Sequence, residues 1–462
     1  MAKVIVALAY MVAILVIGIL ASRKVKTADD FAVAGRQIPF WTNVYSMASA
    51  QIGAGATMGV ASMCYAYGIS GQTLGIGAAL GAILSGLVFA KKIREANVTT
   101  IPELIRNSLG KRAADLISIL SIFSVFSILA GQVRSLGTIL QIFIPSLDLF
   151  TAILIMSVIM LGYSVAGGLV SATKTDKLNI IIMVLSVMVI IPIISFTRIG
   201  GLGGIAAKVD PKYVNPTNMG VSQMISMMLY FGLIGMVNNE NFIRICGAKN
   251  ANEARGATIT ASLLIYLPYM IFAGLIGYAG IALIPNLESS DSIFPAMIDQ
   301  MAGGVAGAFL LSGLLAAVMG TAASVAMTTG IMVARDVVNR IKPLDGNKML
   351  LTQRIAMIVA TVAAIFVGYF GRSIVGIMED VGAPAAAAII PIFCGIFFWK
   401  KMNEKGALVT IAVAVISTLG YWALGSPLGI SHFIFGLICS TITMIIACNL
   451  TYEEKAKEGV GM

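Results

Sequence analysis

Apolar runs of about 20 residues recur along the whole chain, and the short stretches between them carry most of the charge. A run of that length spans the roughly 30 Å hydrocarbon core of a bilayer as a helix. The pattern predicts about thirteen spans, at about 4–22, 40–66, 72–90, 113–142, 149–168, 177–197, 219–238, 256–284, 304–333, 349–370, 374–398, 405–424 and 429–449. The expected fold class is therefore an all-α polytopic membrane protein. The run from Val4 to Ala21 lacks a basic stretch before it and a cleavage pattern after it, so it reads as a retained helix.

Basic residues give the orientation. With the N-terminus outside, 25 of the 31 Lys and Arg fall on the cytoplasmic side or its helix ends. Lys3, Arg198, Lys208, Lys212 and Arg372 fall outside, and Arg134 is the one basic residue inside a span. This asymmetry predicts a cytoplasmic membrane protein with its N-terminus outside and its C-terminus inside.

Composition excludes much else. The chain is 58% hydrophobic and only 11% charged, with a mean hydropathy of +0.94. A soluble domain carries about a quarter charged residues. The net charge of +10 sits in loops between apolar runs rather than on one soluble face, so the expected partners are lipid and a small solute, not nucleic acid. The five cysteines have no paired or metal-ligand spacing. There is no GxxxxGK[ST] loop to drive transport by nucleotide, and one histidine without an HExxH pattern argues against an intramembrane enzyme.

Two spans stand out. Span 40–66 has no charge but contains Gly53, Gly55, Gly59, Ser46, Ser49, Gln51 and Thr57, and Gly53-Ala54-Gly55 marks a candidate break. Span 219–238 carries Gly232 and Gly235 before Asn238-Asn239. Each begins a set of five spans, and because five is odd the two sets have opposite orientation, as in an inverted repeat with discontinuous first helices. The alternative is that these glycines only permit close helix packing. The division is an N-terminal extra helix and linker (1–39), a first repeat (40–197), an outside loop (198–218), a second repeat (219–398), two C-terminal helices (399–450) and a cytoplasmic tail (451–462). The outside stretches near 198–218 and 285–303 are candidate lids.

Five segments, in order, resemble the sodium:solute symporter family. They are Asp30 to Trp41 (DFAVAGRQIPFW), Thr99 to Asn107 (TTIPELIRN), Gly167 to Asn179 (GGLVSATKTDKLN), Phe242 to Ala257, and Gly395 to Lys401 (GIFFWKK). The resemblance covers about residues 5–400 and implies a five-plus-five inverted-repeat core performing secondary active symport. It implies a sodium site made by the carbonyls of Ser49 and Ile52, the carbonyl of Ala317, and hydroxyls at 320 and 321. Thr321 supplies one hydroxyl, but Gly320 lacks the other. Ser324, one turn on, or a water is the expected substitute. Positions 317, 320, 321, 324 and 328 share one helix face and form a small, mildly polar stripe. The competing reading of Thr321 and Ser324 is back-bonding within their own helix.

A second sodium site of some relatives maps to Gly53, Ala56, Ala323, Ser324 and Asp176. Only two of these carry oxygen side chains, so a second sodium is not expected. Asp176 lies on a possible ion path to the cytoplasm, or pairs with Lys174 or Lys177. The expected solute contacts are Gln51, Ala56, Arg134, Phe231 and Glu379. Arg134, beside Gln132, offers a bidentate fork to an anion, or else pairs with Glu379 or Asp380. Ala56 and Phe231 replace amides of sugar-carrying relatives, which favours an amino acid or short carboxylate over a sugar. Tyr65, Tyr67 and Tyr230 line or gate the path, or simply pack, and His432 packs. The expected function is sodium-coupled uptake of a small organic solute. Proton-coupled or ion-independent transport on the same fold, a channel and a solute sensor are the alternatives.

Overall fold

The structure is a computed structural model that describes residues 2–23, 25–302, 304–371 and 373–452. Lys3 and Lys24 side chains, Arg372, and residues 453–462 of the expected tail lie outside what is described. Among the described residues the chain is helical, and β pairing is limited to one bridge between Ile38 and Ala248.

Ten helical runs are long and apolar enough to cross a membrane. Two of them, Gly55–Glu95 and Leu149–Ile199, are 41 and 51 residues long, well beyond the ~20 residues of one crossing. Each is interrupted by a glycine at positive φ. Gly68 sits at φ 69° and Gly168 at φ 50°, ψ −143°. The Gly168 corner lies between the expected spans 149–168 and 177–197. A side chain there would be strained by the backbone, and its Cβ would lie 2.5 Å from the Phe31 carbonyl oxygen and 2.6 Å from its ring.

Helix α1 (Ala2–Ser22) precedes the core. The first core helix is split into α2 (Phe40–Gln51) and α3 (Val60–Tyr67), with a π turn at Gly55–Gly59. Ile52 leaves helical geometry at ψ 85°, so the chain opens where Gly53-Ala54-Gly55 predicts. Helices α4 (Thr73–Leu84), α5 (Lys111–Phe143) and α6 (Leu149–Ile199) follow.

The second half begins with an equally split helix, α7 (Val221–Met236) and α8 (Asn239–Gly247). Here the break lies at Val237–Asn238, not at Gly232 or Gly235. Those two glycines instead bring α7 against α4, as the packing alternative holds. A Cβ at Gly235 would lie 2.8 Å from the Ala78 carbonyl oxygen, and one at Gly232 3.1 Å from that of Gly77. The run continues through α9 (Ala251–Leu283), α10 (Gly304–Met332), α11 (Gly346–Phe370) and α12 (Ile374–Phe398), then α13 (Glu404–Ala423) and α14 (His432–Thr451).

Helix α10 forms the centre. In the crossing window of its run, 94% of residues are buried, against 28% for α11. Its lack of charge and its many Ala and Gly residues let α1, α5, α6 and α11 pack onto it from several sides. The outer connections form short helices, Gly201–Lys208, Pro211–Val214 and Ile293–Met301.

Gly168→Ala is expected to lower thermal stability in detergent by about 2 kcal/mol or more. Gly346→Ala, with nothing within 4 Å of its Cβ, is expected to leave the melting temperature unchanged.

Candidate functional site

The break after α2 frees backbone groups in a region with no water to satisfy them. Thr321, on α10, answers two of them. Its Oγ1 lies 3.0 Å from the Ser49 carbonyl oxygen and 3.0 Å from that of Ile52. Ser49 and Ile52 are fully buried and Thr321 is nearly so. One hydroxyl proton cannot fully satisfy two carbonyls, so this cluster of three neutral oxygens retains acceptor capacity. Hard, uncharged oxygens in such a cluster suit a monovalent cation such as sodium. Thr321 does not bond back into its own helix.

Gly320 faces the same place. A Cβ there would lie 2.9 Å from Asn179 Nδ2 and 3.2 Å from Ser49 Oγ. Asn179 is held by Tyr10 of α1, whose hydroxyl donates to its Oδ1 at 2.9 Å. Thus an amide and the Ser49 hydroxyl fill the space of the missing side chain. Ser324 is committed elsewhere, accepting from Arg244 Nη2 at 2.9 Å. Ala317 is buried on the same helix.

Arg244 is the buried charge that the sequence reading missed. It was counted with cytoplasmic charges beyond span 219–238, which left Arg134 as the one basic residue in a span. The helix instead resumes as α8, capped by the Asn238 side chain on Asn241 N at 2.8 Å, and carries Arg244 inward to 0% exposure. Its Nε donates to Ser46 Oγ at 2.9 Å, and Ser46 donates to Asp176 Oδ2 at 2.7 Å. Nη1 donates to the Glu240 carbonyl at 3.2 Å, and Nη2 lies 3.8 Å from Asp176 Oδ2. Asp176 therefore pairs across the bundle with α8 and α2, and not with Lys174 or Lys177. The network ties α2, α6, α8 and α10 together immediately beside the oxygen cluster. The N-cap at Asn238, three residues before Asn241, was the signal that the helix restarts.

A central cavity of about 100 Å³ adjoins both. Thr321, Gln51, Gln132, Tyr230, Glu240 and Asn241 line it, as do Ala56 and Phe231. Gln51 and Asn241 each have both amide atoms buried without a hydrogen-bond partner. Gln132 Oε1 accepts from Ala54 N at 2.9 Å, closing the exposed start of the second half-helix. Tyr230 donates to the Met378 carbonyl at 2.5 Å.

Arg134 and Glu379 stand apart from this cavity. Arg134 Nη1 donates to the Gly368 carbonyl at 2.9 Å and to that of Tyr369 at 3.4 Å. It caps the C-terminal turn of α11, where free carbonyls and the helix dipole attract a cation. Glu379 accepts from Ser431 Oγ at 3.2 Å. Among the described residues, Arg134 forms no ion pair with Glu379 or Asp380.

Closures lie at both ends. At one end, Asp291 accepts from Ser62 Oγ at 3.1 Å and from Ile374 N at 3.0 Å, joining α3, the segment 290–301 and α12. Tyr65 donates to the Ile284 carbonyl at 2.6 Å. At the other end, Arg335 pairs with Asp29, and Arg340 pairs with Asp115 and with Asp336.

A sequence model of the sodium:solute symporter family matches residues 31–414. The high-affinity proline transporter PutP of Bacillus subtilis (strain 168) is 25% identical over 446 residues, covering 92% of each chain. The sodium/glucose cotransporter of Vibrio parahaemolyticus is 24% identical over 454 residues, covering 88% of this chain and 82% of that one. The solved structure of a Na+-coupled sialic acid symporter, in a substrate-bound outward-open state, aligns with a TM-score of 0.82 at 18% identity. It covers 98% of this chain and 97% of that one, and shows the same fold.

Removing one partner of a buried ion pair strands the other charge. Arg244→Met or Asp176→Leu alone is expected to lower stability by about 3–5 kcal/mol. The double variant is expected to lose less than the sum of the two, by more than about 1 kcal/mol. Thermal unfolding of the four proteins in detergent measures this, and strict additivity would contradict the pairing.

Proposed function

The chain belongs to the sodium:solute symporter family and is a transporter that couples a small organic solute to sodium; we propose that its sodium ion binds at the carbonyls of Ser49, Ile52 and Ala317 with the Thr321 hydroxyl, and that the solute binds in the adjoining cavity. The observation that carries this reading is the Thr321 hydroxyl held 3.0 Å from both carbonyls at the break. Ser49 Oγ, beside Gly320, is the candidate for the missing hydroxyl.

Thr321 also lines the cavity, so a cation that pins α2 to α10 shapes the wall against which the solute rests. Sodium shifts the carrier between states only through its different affinity for each. Movement between them rocks the bundle, with the Asp291 contacts opening outside and the Arg335 and Arg340 pairs opening inside. The charge asymmetry of the loops supports a cell-membrane orientation with the N-terminus outside. Inward sodium then gains about 2.3 kcal/mol per 100 mV from the membrane potential.

Within this reading an amino acid or short carboxylate is favoured over a sugar. Proline transporters are prominent among the relatives, and Ala56 and Phe231 place apolar groups in the cavity wall.

Sodium is expected to raise the melting temperature of the purified protein above that in equimolar potassium. At a sodium concentration 100 times its Kd the stabilisation is about 2.7 kcal/mol. Thr321→Ala is expected to abolish the sodium-specific part. A shift that survives in the variant would move the ion elsewhere.

A further inference from the structure

We infer that the transported solute is a zwitterion bearing an ammonium group, and that Glu240 is the side chain that receives that ammonium. The inference rests on the cavity being the solute site. Among the residues lining it, Glu240 is the only ionisable one apart from tyrosines, and no Lys, Arg or His reaches it. Glu240 is 1% exposed, and its Oε1 has no hydrogen-bond partner. Arg244 touches the backbone carbonyl of Glu240. No ion pair joins the two side chains among the described residues.

Unpartnered buried polar atoms are uncommon and costly, yet five belong to residues that line this one cavity. They are Glu240 Oε1 and both amide atoms of Gln51 and of Asn241. Three are acceptor oxygens and two are amide nitrogens, a count that does not depend on which way either amide is turned. A ligand that satisfies them must bring several N–H or O–H donors together with an acceptor. An ammonium supplies the donors and a carboxylate supplies the acceptor. A carboxylate without an amine lacks the donors and meets Glu240 as a like charge. A sugar supplies both kinds of group but no charge to answer the buried carboxylate.

Charge balance selects the same class. The buried centre holds two carboxylates, Asp176 and Glu240, against one guanidinium, Arg244. With both acids ionised, one sodium ion makes up the deficit, and a solute of zero net charge leaves the loaded site neutral. A simple anion would leave it negative in a medium where unbalanced charge is expensive. Tyr230, Phe231 and Tyr266 form the apolar wall around the remainder of such a solute.

The test uses the purified full chain in sodium, with melting temperature as readout. The probes are the twenty standard amino acids, propionate, lactate, cyclopentanecarboxylate and glucose. At least one amino acid is expected to stabilise, while the amine-free acids and glucose do not. In Glu240→Gln the half-saturating concentration of that amino acid should rise at least tenfold, with a sodium-specific shift over potassium still detectable. On the wild type, the N-acetyl derivative of the same amino acid should fail to stabilise, which tests the ammonium contact without a variant. The inference is overturned if an amine-free acid or glucose stabilises as well as the best amino acid. It is equally overturned if no amino acid stabilises while the sodium shift is intact, or if acetylation or Glu240→Gln changes nothing. Absence of the sodium shift in the wild type would instead refute the proposed sodium site.

Discussion

Backbone freed inside a membrane must be satisfied by the protein itself, and the two breaks at 52–54 and 237–238 impose that demand on everything around them. Three side chains answer it. Thr321 donates to the carbonyls that end α2, Gln132 accepts from the amide that begins the next half-helix, and Asn238 caps α8. Each comes from a position that the rest of the bundle must hold still. The oxygen cluster and the polar cavity both follow from this one requirement. A continuous helix would have consumed its carbonyls internally.

The same low dielectric governs the charges. A guanidinium at 0% exposure is tolerable only because four polar atoms surround it, from Ser46, Ser324, Asp176 and the Glu240 backbone. The serines act as short dipoles between Arg244 and its neighbours, and they come from α2 and α10, which also build the oxygen cluster. Stability of the ion pair and the geometry of the oxygen cluster are thereby coupled. Arg134 shows the contrasting solution. Lying in the C-terminal half of α5, it spends its charge on the free carbonyls of a helix terminus and stays out of the cavity.

Close packing makes these contacts dependable. Glycines bring α7 to within a side chain's width of α4, and α10 is buried nearly all round. Helices in lipid gain little from hydrophobicity toward one another, so small residues and interhelical hydrogen bonds must set their positions.

Much of this was legible in the sequence. Apolar run length and loop charge determined a polytopic helical protein, since crossing a bilayer demands both. Gly53-Ala54-Gly55 marked the first break, and the family-like segments pointed to Ser49, Ile52 and Thr321, which the fold brings together. In the sequence Gly232 and Gly235 stand open between break and packing, because a glycine reads the same whether it ends a helix or lets two helices touch; only the approach of α4 tells them apart. Arg244 looked like one more cytoplasmic charge because loop and helix cannot be separated there by hydropathy alone. Asp176 had lysines beside it in the chain, yet its partner lies 68 residues away in sequence. Composition and periodicity are local properties and determined the spans. Which buried charge meets which, and which polar atoms are left facing a cavity, depend on contacts between distant segments, and those only the tertiary structure decided.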